Sequence, residues 1–125
     1  LLGSRPLETM PTYFALADVM LVTLKDDPVM ATTIPGKVQS YLASGKPIAG
    51  ALNGAGAEII NNSGAGYCVS SGDSASLAKV ILKMINLKES ELQEMGIKSL
   101  SYYKDNFDRD VLITKLETWM KDFIK

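Results

Sequence analysis

Short, nearly continuous apolar runs in the first part of the chain have the pattern of buried β-strands. One run covers Val19–Leu24 and a second covers Pro47–Leu52. Such runs are typical of parallel strands that are covered on both faces, and a shorter strand is predicted at Tyr67–Val69. Helices are predicted between the strands, at Pro11–Ala17 and at Pro35–Ser44, each opening on proline.

The last third of the chain predicts three amphipathic helices. Asp73 or Ser74 caps the first, and Ser90 and Gln93 fit a capping box that opens the second, while Asp108 starts the third. Their expected inward residues recur at helical spacing: Leu77, Ile81, Met84 and Ile85 in the first, Leu92, Met95 and Tyr103 in the second. Alternating strands and helices predict an α/β fold, a Rossmann-like parallel sheet flanked by helices with a helical C-terminal end.

Composition narrows the possible chemistry of this 125-residue chain, whose length fits a single domain. Its 13 Lys and Arg against 14 Asp and Glu leave no basic surplus for nucleic acid. The absence of histidine excludes His-based triads and zinc sites, and the single cysteine excludes an internal disulfide framework. Cys68 is expected to be a small buried hydrophobe. No apolar run approaches the roughly 18 residues of a membrane-spanning helix.

The segment Lys25–Lys37 is the first candidate site, because its length exceeds that of a plain strand-to-helix connection. Lys37 falls in the first turn of the helix that follows, where a cation opposes the helix dipole unless an anion is near. A phosphate bound by Lys37 and the amides of Gly36 and Lys37 is one interpretation, and a solvated lysine is the alternative. Asp26 and Asp27 are interpreted as solvated loop charges rather than a metal pair.

The second candidate site is the segment Asn53–Ile60, which follows the strand at 47–52. Gly54 and Gly56 can let a backbone approach a ligand closely or turn into a helix. Glu58 is either a ligand-binding residue or a favourable charge in the first turn of a helix. The third glycine of the dinucleotide fingerprint is missing, so a Rossmann dehydrogenase is not supported.

The order of motifs resembles the C-terminal half of retaining glycosyltransferases with two Rossmann-like domains. Met10-Pro11 followed by Ala17-Asp18, and Tyr41-Leu42-Ala43-Ser44-Gly45-Lys46-Pro47, are similar to signatures of glycosyltransferase family 4. Pro35-Gly36-Lys37 stands where the branch that makes bacterial capsule, O-antigen or exopolysaccharide commonly has Pro-Ser-Lys. The resemblance covers nearly the whole chain.

This resemblance implies a donor-binding domain, 1–125, of a longer GT-B enzyme that is cytoplasmic or lies at the inner face of the membrane. The expected donor is a UDP-sugar, and the acceptor is a glycan or a polyisoprenoid-linked glycan bound through an N-terminal domain. No cofactor or metal is expected, and the catalytic residues are not assigned. The expected donor-binding residues are Thr32, Thr33, Pro35, Gly36, Lys37, Gln39, Ser40, Gly54, Gly56 and Glu58.

Two positions depart from the family pattern. Many relatives carry a Glu-x7-Glu pair whose second glutamate holds the ribose hydroxyls, and these positions fall on Thr32 and Ser40. Ser40 or Gln39 can still form a hydrogen bond to ribose, but the charge-assisted bond is lost. A sugar-nucleotide 2-epimerase and a non-catalytic nucleotide-binding module are the alternatives. Because part of the catalytic and acceptor contacts in the family comes from the N-terminal domain, residues 1–125 alone are expected to be catalytically inactive.

Two features of the chain ends carry further expectations. Leu1-Leu2-Gly3 is interpreted as the tail of a strand, so the chain is expected to be a fragment. The last helix has an apolar stripe made of Leu112, Leu116, Trp119, Met120 and Phe123. In similar transferases this helix crosses to the N-terminal domain, so part of the stripe is expected to face another domain; local packing of all five residues is the alternative.

Overall fold

Three parallel strands form the centre of the fold. The computed structural model describes residues 3–124, and within them β1 (Met20–Thr23), β2 (Ile48–Ala51) and β3 (Gly66–Val69) lie side by side in that order. Val22 of β1 pairs with Gly50 of β2, which pairs with Cys68 of β3. The predicted α/β fold with a parallel sheet is therefore confirmed. Of the expected strand tail Leu1-Leu2-Gly3, Leu1 and Leu2 lie outside the described residues, and Gly3 does not lie in a strand.

Helices connect the strands and follow the last one. A short 3₁₀ helix at Leu7–Thr9 precedes α1 (Met10–Leu16), α2 (Pro28–Ala31), α3 (Gly36–Ala43), α4 (Ala55–Asn62), α5 (Ser74–Ile85), α6 (Glu89–Asn106) and α7 (Arg109–Phe123). Pro11 lies in the first turn of α1, where its missing N–H costs nothing. Pro35 is the N-cap of α3 rather than a first-turn residue.

Helix α2 was not expected, because the connection between the strand at 19–24 and the helix at 35–44 was predicted to be a loop. The Asp27 carboxylate accepts hydrogen bonds from the N–H groups of Val29 and Met30 at 2.8 and 3.2 Å. Pro28 occupies the first helical position. An Asp N-cap followed by proline is a helix-start signal that the sequence carries, so the prediction of a plain long loop is wrong.

The hydrophobic core lies between the sheet and the helices that pack on it. Its fully buried side chains include Val22 of β1, Val38 and Leu42 of α3, Ile48 of β2 and Ile60 of α4. All four residues of β2 are buried, as expected for a central parallel strand.

Strand β1 departs from this pattern. Met20 and Val22 are buried, whereas Leu21 is 51% exposed and Thr23 is exposed. The expectation that this strand is covered on both faces is wrong for the described residues.

Helix α6 approaches α3 closely through small residues. A Cβ added to Gly96 would lie 2.4 Å from the Gly45 carbonyl oxygen, and the buried Ser99 hydroxyl donates to the Leu42 carbonyl at 3.4 Å. The expected inward residues Leu92, Met95 and Tyr103 are half-buried. The tightest contact is therefore made by a glycine and a serine, which no apolar pattern reveals.

Of the two N-terminal caps predicted for α5 and α6, one is observed and the other is not. Asp73 caps α5 by accepting from the Ser76 N–H at 2.9 Å, and that bond holds the pKa of Asp73 below its usual range. The capping box at Ser90 is wrong: α6 begins at Glu89, and the Glu91 carboxylate accepts from the Lys88 N–H at 2.9 Å. A carboxylate at the third helical position satisfies the N-cap amide without a hydroxyl cap.

The prediction that Ile85 of α5 faces the core is also wrong. Met84 is 1% exposed, but Ile85 is 71% exposed.

The apolar stripe of α7 faces away from the rest of the described chain. Trp119 is 61% exposed and Phe123 is 91% exposed, and Leu112, Leu116 and Met120 are also exposed. Local packing of all five residues, the alternative to an interdomain role, is therefore wrong. By contrast, Tyr102, Tyr103 and Phe107 pack against the core.

The exposure of α7 leads to a stability prediction. Trp119→Ser is expected to change the free energy of unfolding by less than about 0.5 kcal/mol, because an exposed side chain loses little packing when it is removed. Met84→Ala, at a buried position of α5, is the matched control and should cost about 2–5 kcal/mol. Urea denaturation followed by circular dichroism measures both. An equal loss in the two variants would show that Trp119 is packed in solution.

Candidate functional site

The carboxyl ends of the three strands are held together by Asn53 and Ser71. The Asn53 amide donates to the Asp26 carboxylate at 2.8 Å, and its carbonyl oxygen accepts from the Ser71 N–H at 3.1 Å. The Ser71 hydroxyl donates to the Leu24 carbonyl. This edge of the sheet, where ligands of open parallel sheets bind, is thus fixed by polar groups. Asn53 lies in the second candidate segment, but no role was predicted for it from the sequence.

The N-terminus of α3 lies at this edge and offers unpaired donors. The N–H groups of Val38 and Gln39 both reach the Pro35 carbonyl, at 2.9 and 3.4 Å. Within residues 3–124, the amides of Gly36 and Lys37 have no acceptor, and the Lys37 ammonium is exposed and forms no ion pair. Unpaired amides at the positive end of a helix dipole attract an anion.

The surface above the first turn of α3 is open. A Cβ added to Gly36 would meet nothing within 4 Å, and Gly36 does not have a positive φ. Neither backbone conformation nor packing requires glycine there. A side chain at this position would therefore extend into open space.

Gly54 and Gly56, in contrast, are explained by packing. Gly54 has a φ of +73°, and an added Cβ would lie 2.0 Å from the Ala31 carbonyl oxygen. An added Cβ on Gly56 would lie 2.9 Å from the Pro35 ring. These two glycines bring the end of α2 and the first turns of α3 and α4 into contact. Their interpretation as points of close ligand approach stays a prediction.

The hydroxyls of Thr32 and Thr33 serve the end of α2. They donate to the carbonyls of Val29 and Met30 at 2.8 and 3.1 Å. Their hydrogens are therefore engaged, and each oxygen can still accept a hydrogen bond.

Ser40 lies one turn along α3 from the open N-terminus, on the side that faces α1. Its hydroxyl donates to the Gly36 carbonyl at 3.0 Å and, like the threonines, keeps its acceptor capacity. Ser40 also lines a cleft between α1 and α3. Gln39 is half-buried.

Glu58 lines a different cleft, at the ends of β2 and β3. This cleft of about 330 Å³ also contains Asn53, Asn61, Cys68 and Ser70. The Glu58 side chain is exposed, in the first turn of α4. The structure does not bring it into contact with Lys37.

The sequence predicted a fully buried Cys68. In the structure this residue is half-buried and lies at the edge of the Glu58 cleft. Burial raises the pKa of its thiol, and the thiol donates to the Leu52 carbonyl at 3.5 Å. The thiol is thus protonated near neutral pH, and a reactive thiolate is not expected.

The two aspartates of the candidate segment have structural partners. Asp26 accepts from Asn53, and Asp27 caps α2, although both are exposed as expected. Among the described residues, no three acidic, cysteine or histidine side chains are placed to hold a metal ion.

The amino-acid sequence of this chain matches a known protein family. The family described as glycosyl transferases group 1 matches residues 1–87, which contain the three strands and every candidate site residue. The chain belongs to this family. No curated protein and no solved structure matches the chain. In the part of the chain that the structure describes, no helix of this glycosyl transferase is long and apolar enough to cross a bilayer.

In this glycosyl transferase the expected donor-binding residues lie at three neighbouring parts of the structure. Pro35, Gly36 and Lys37 form the open end of α3, with Thr32 and Thr33 beside it. Ser40 faces α1, and Glu58 faces the cleft at β2 and β3. The contact between Pro35 and Gly56 joins the turns of α3 and α4.

Proposed function

We propose that this chain is the donor-binding half of a retaining glycosyltransferase of bacterial cell-surface polysaccharide synthesis. It transfers a sugar from a UDP-sugar to a glycan or polyisoprenoid-linked acceptor, in the cytoplasm or at the inner face of the membrane. The observation that carries the proposal is the N-terminus of α3. There, two unpaired amides and the Lys37 ammonium are exposed at the start of a helix, within a glycosyl transferase sequence.

In this proposal the end of α3 stabilises the diphosphate as it leaves the sugar. Negative charge develops on the phosphate oxygens when the bond between the sugar and the diphosphate breaks. The Gly36 and Lys37 amides are fixed by the helix and need little rearrangement to hold that charge, and the Lys37 ammonium adds a positive charge beside them. The Glu58 cleft lies one strand further along the same edge and offers acceptors to sugar hydroxyls.

The exposed stripe of α7 supports the assignment to one half of a larger enzyme. A contiguous apolar surface of this kind normally marks a contact with another protein surface. We propose that the stripe packs on the acceptor-binding domain, whose residues complete the catalytic site.

The direct test measures both binding and transfer with a UDP-sugar that carries a radioactive sugar. Binding of UDP is expected to shift the amide resonances of Gly36 and Lys37 in a ¹⁵N spectrum of this chain. Transfer of label to a lipid-linked acceptor is expected from the protein that contains both halves. Binding without transfer there would favour the non-catalytic module, and no binding of UDP would contradict the proposal.

Ser40→Glu tests the position of the ribose. The variant should bind UDP more tightly by roughly 1 kcal/mol, because a carboxylate accepts from ribose hydroxyls more strongly than a serine oxygen does. The site is exposed, so the fold should remain intact by circular dichroism. Ser40→Gln is the control of similar size without charge. Weaker UDP binding by folded Ser40→Glu would show that this protein holds ribose elsewhere.

A further inference from the structure

The side chain of Asn53 joins the chain segments that follow all three strands. Its amide nitrogen donates to the Asp26 carboxylate at 2.8 Å, and its carbonyl oxygen accepts from the Ser71 N–H at 3.1 Å. The Ser71 hydroxyl in turn donates to the Leu24 carbonyl, two residues before Asp26 in the chain. These hydrogen bonds close a ring that runs from the residues after β1 through those after β3 and β2 and back.

The chemistry of this ring requires an amide at position 53. A primary amide carries a donor and an acceptor, so it can serve the Asp26 carboxylate and the Ser71 N–H at the same time. An aspartate would offer acceptors only, and its charge would repel the Asp26 carboxylate. A hydrogen bond to a carboxylate is charge-assisted and is stronger than one between neutral groups. Asn53 therefore fixes the start of the segment 25–37.

The residues after Asn53 also touch α2 and α3. An added Cβ on Gly54 would lie 2.0 Å from the Ala31 carbonyl oxygen at the end of α2, and one on Gly56 would lie 2.9 Å from the ring of Pro35, the N-cap of α3. Both are van der Waals contacts, which favour close approach but set no direction. The hydrogen bond from Asn53 is the directional contact of the three.

We infer that Asn53 is a positioning residue for the donor diphosphate, acting through Asp26 on the segment that leads to Gly36 and Lys37. The inference rests on the proposed function, which places the diphosphate at the start of α3. The two side-chain hydrogen bonds of Asn53 go to Asp26 and Ser71 rather than to α3, so its effect on the amides passes through the segment. A segment that is held before the ligand arrives loses less conformational entropy on binding.

Asn53→Ala removes the ring without adding charge. It should weaken UDP binding about tenfold, because the segment must then be ordered when the ligand binds. In the ¹⁵N spectrum of the free variant the amide resonances of Gly36 and Lys37 should shift, and calorimetric titration measures the affinity. A lower Tm with unchanged resonances and unchanged UDP affinity would show a role in stability alone and would overturn the inference.

An exchange of the two partners gives a test that does not depend on Asn53→Ala. Asn53→Asp places two carboxylates opposite each other and should weaken UDP binding at least as much. In the double variant Asp26→Asn/Asn53→Asp, the amide at position 26 can donate to the carboxylate at position 53, and the net charge is that of the unaltered protein. UDP affinity should return to within about threefold of the original value. No recovery in a folded double variant would overturn the inference.

The pH dependence of Asn53→Asp tests whether repulsion in the ring causes its weaker binding. As the pH falls from about 8 to about 5, two facing carboxylates come to share a proton and can form a hydrogen bond again. The UDP affinity of the variant should therefore rise relative to that of the unaltered protein at the same pH, a ratio in which the titration of UDP itself cancels. Lys25 and Asp27 line a recess with Asn53, and Glu58 lines the cleft on its other side, and these charges are the same in both proteins. A ratio that does not change with pH would contradict the inference.

Asn86→Asp is the matched control, because it makes the same chemical change at an exposed asparagine at the end of α5. It should leave UDP affinity unchanged, and a loss equal to that of Asn53→Asp would attribute the effect to net charge and overturn the inference. If Lys37→Ala weakens UDP binding but Asn53→Ala does not, the diphosphate site stands and the inference alone is wrong. If the unaltered protein does not bind UDP, the proposed function fails and the inference fails with it.

Discussion

Gly54→Ala is expected to destabilise the protein by about 3 kcal/mol, from backbone strain and overpacking together. The φ of +73° is unfavourable for alanine, and the new Cβ would lie 2.0 Å from the Ala31 carbonyl oxygen. That oxygen belongs to the backbone at the end of α2, so a side-chain rotation cannot relieve the clash. Chemical denaturation followed by circular dichroism measures the loss.

Gly36→Ala is the matched control, because it makes the same chemical change at another candidate site glycine. Its φ is not positive and its Cβ would meet no atom within 4 Å. Alanine should therefore leave stability unchanged or raise it by up to about 1 kcal/mol, through higher helix propensity. Equal destabilisation in the two variants would contradict the distinction between a packing glycine and an open one.

The sequence could not separate these glycines. Gly36 and Gly54 each lie at the start of a helix that follows a strand along the chain, and the sequence around them does not show which one is crowded. What differs is the presence of Ala31 opposite Gly54. Ala31 ends the additional helix that Asp27 and Pro28 start, and its position opposite Gly54 is a tertiary contact that no local signal predicts.

The strands and most helices could be predicted because their signals are local. Apolar runs, prolines and the Asp73 cap lie within the segments that they define. Exposure of Leu21 in β1 and of Trp119 in α7 could not be predicted in this way. Apolar residues recur with the same spacing whether they pack against this chain or against another domain. The spacing therefore predicts which face of an element makes a contact, but not what that face contacts.

The donor-binding residues were predicted from neighbouring chain segments, and the structure shows that residues of one helix lie on different sides of it. Residues close in sequence on α3 point to different sides: Lys37 is at the open helix end, whereas Ser40 lines the cleft toward α1. A helix of 3.6 residues per turn separates neighbours around its axis. Which neighbouring helix each side chain faces depends on the positions of α1 and α4, which the sequence motif does not contain.

Lys37→Ala is expected to weaken UDP binding by roughly 1–3 kcal/mol, the size of a lost charge-assisted hydrogen bond. Within residues 3–124 the Lys37 ammonium has no protein partner, so its removal should not disturb the fold. The loss should shrink as salt is added, because the side chain is exposed and its attraction to phosphate is screened. Calorimetric titration of UDP at low and high salt measures both effects.

Two controls decide whether the effect is local. Lys104→Ala on α6 removes the same charge from an exposed position remote in sequence from the candidate site, so it should leave UDP affinity unchanged if net charge is not the cause. Lys37→Arg keeps the charge and should retain most of the affinity, since either cation can pair with phosphate. An unchanged UDP affinity in Lys37→Ala would reject the assignment of the diphosphate to the end of α3. Equal losses in Lys37→Ala and Lys104→Ala would instead attribute binding to the overall field of the protein, in which case the open turn at Gly36 has no specific role.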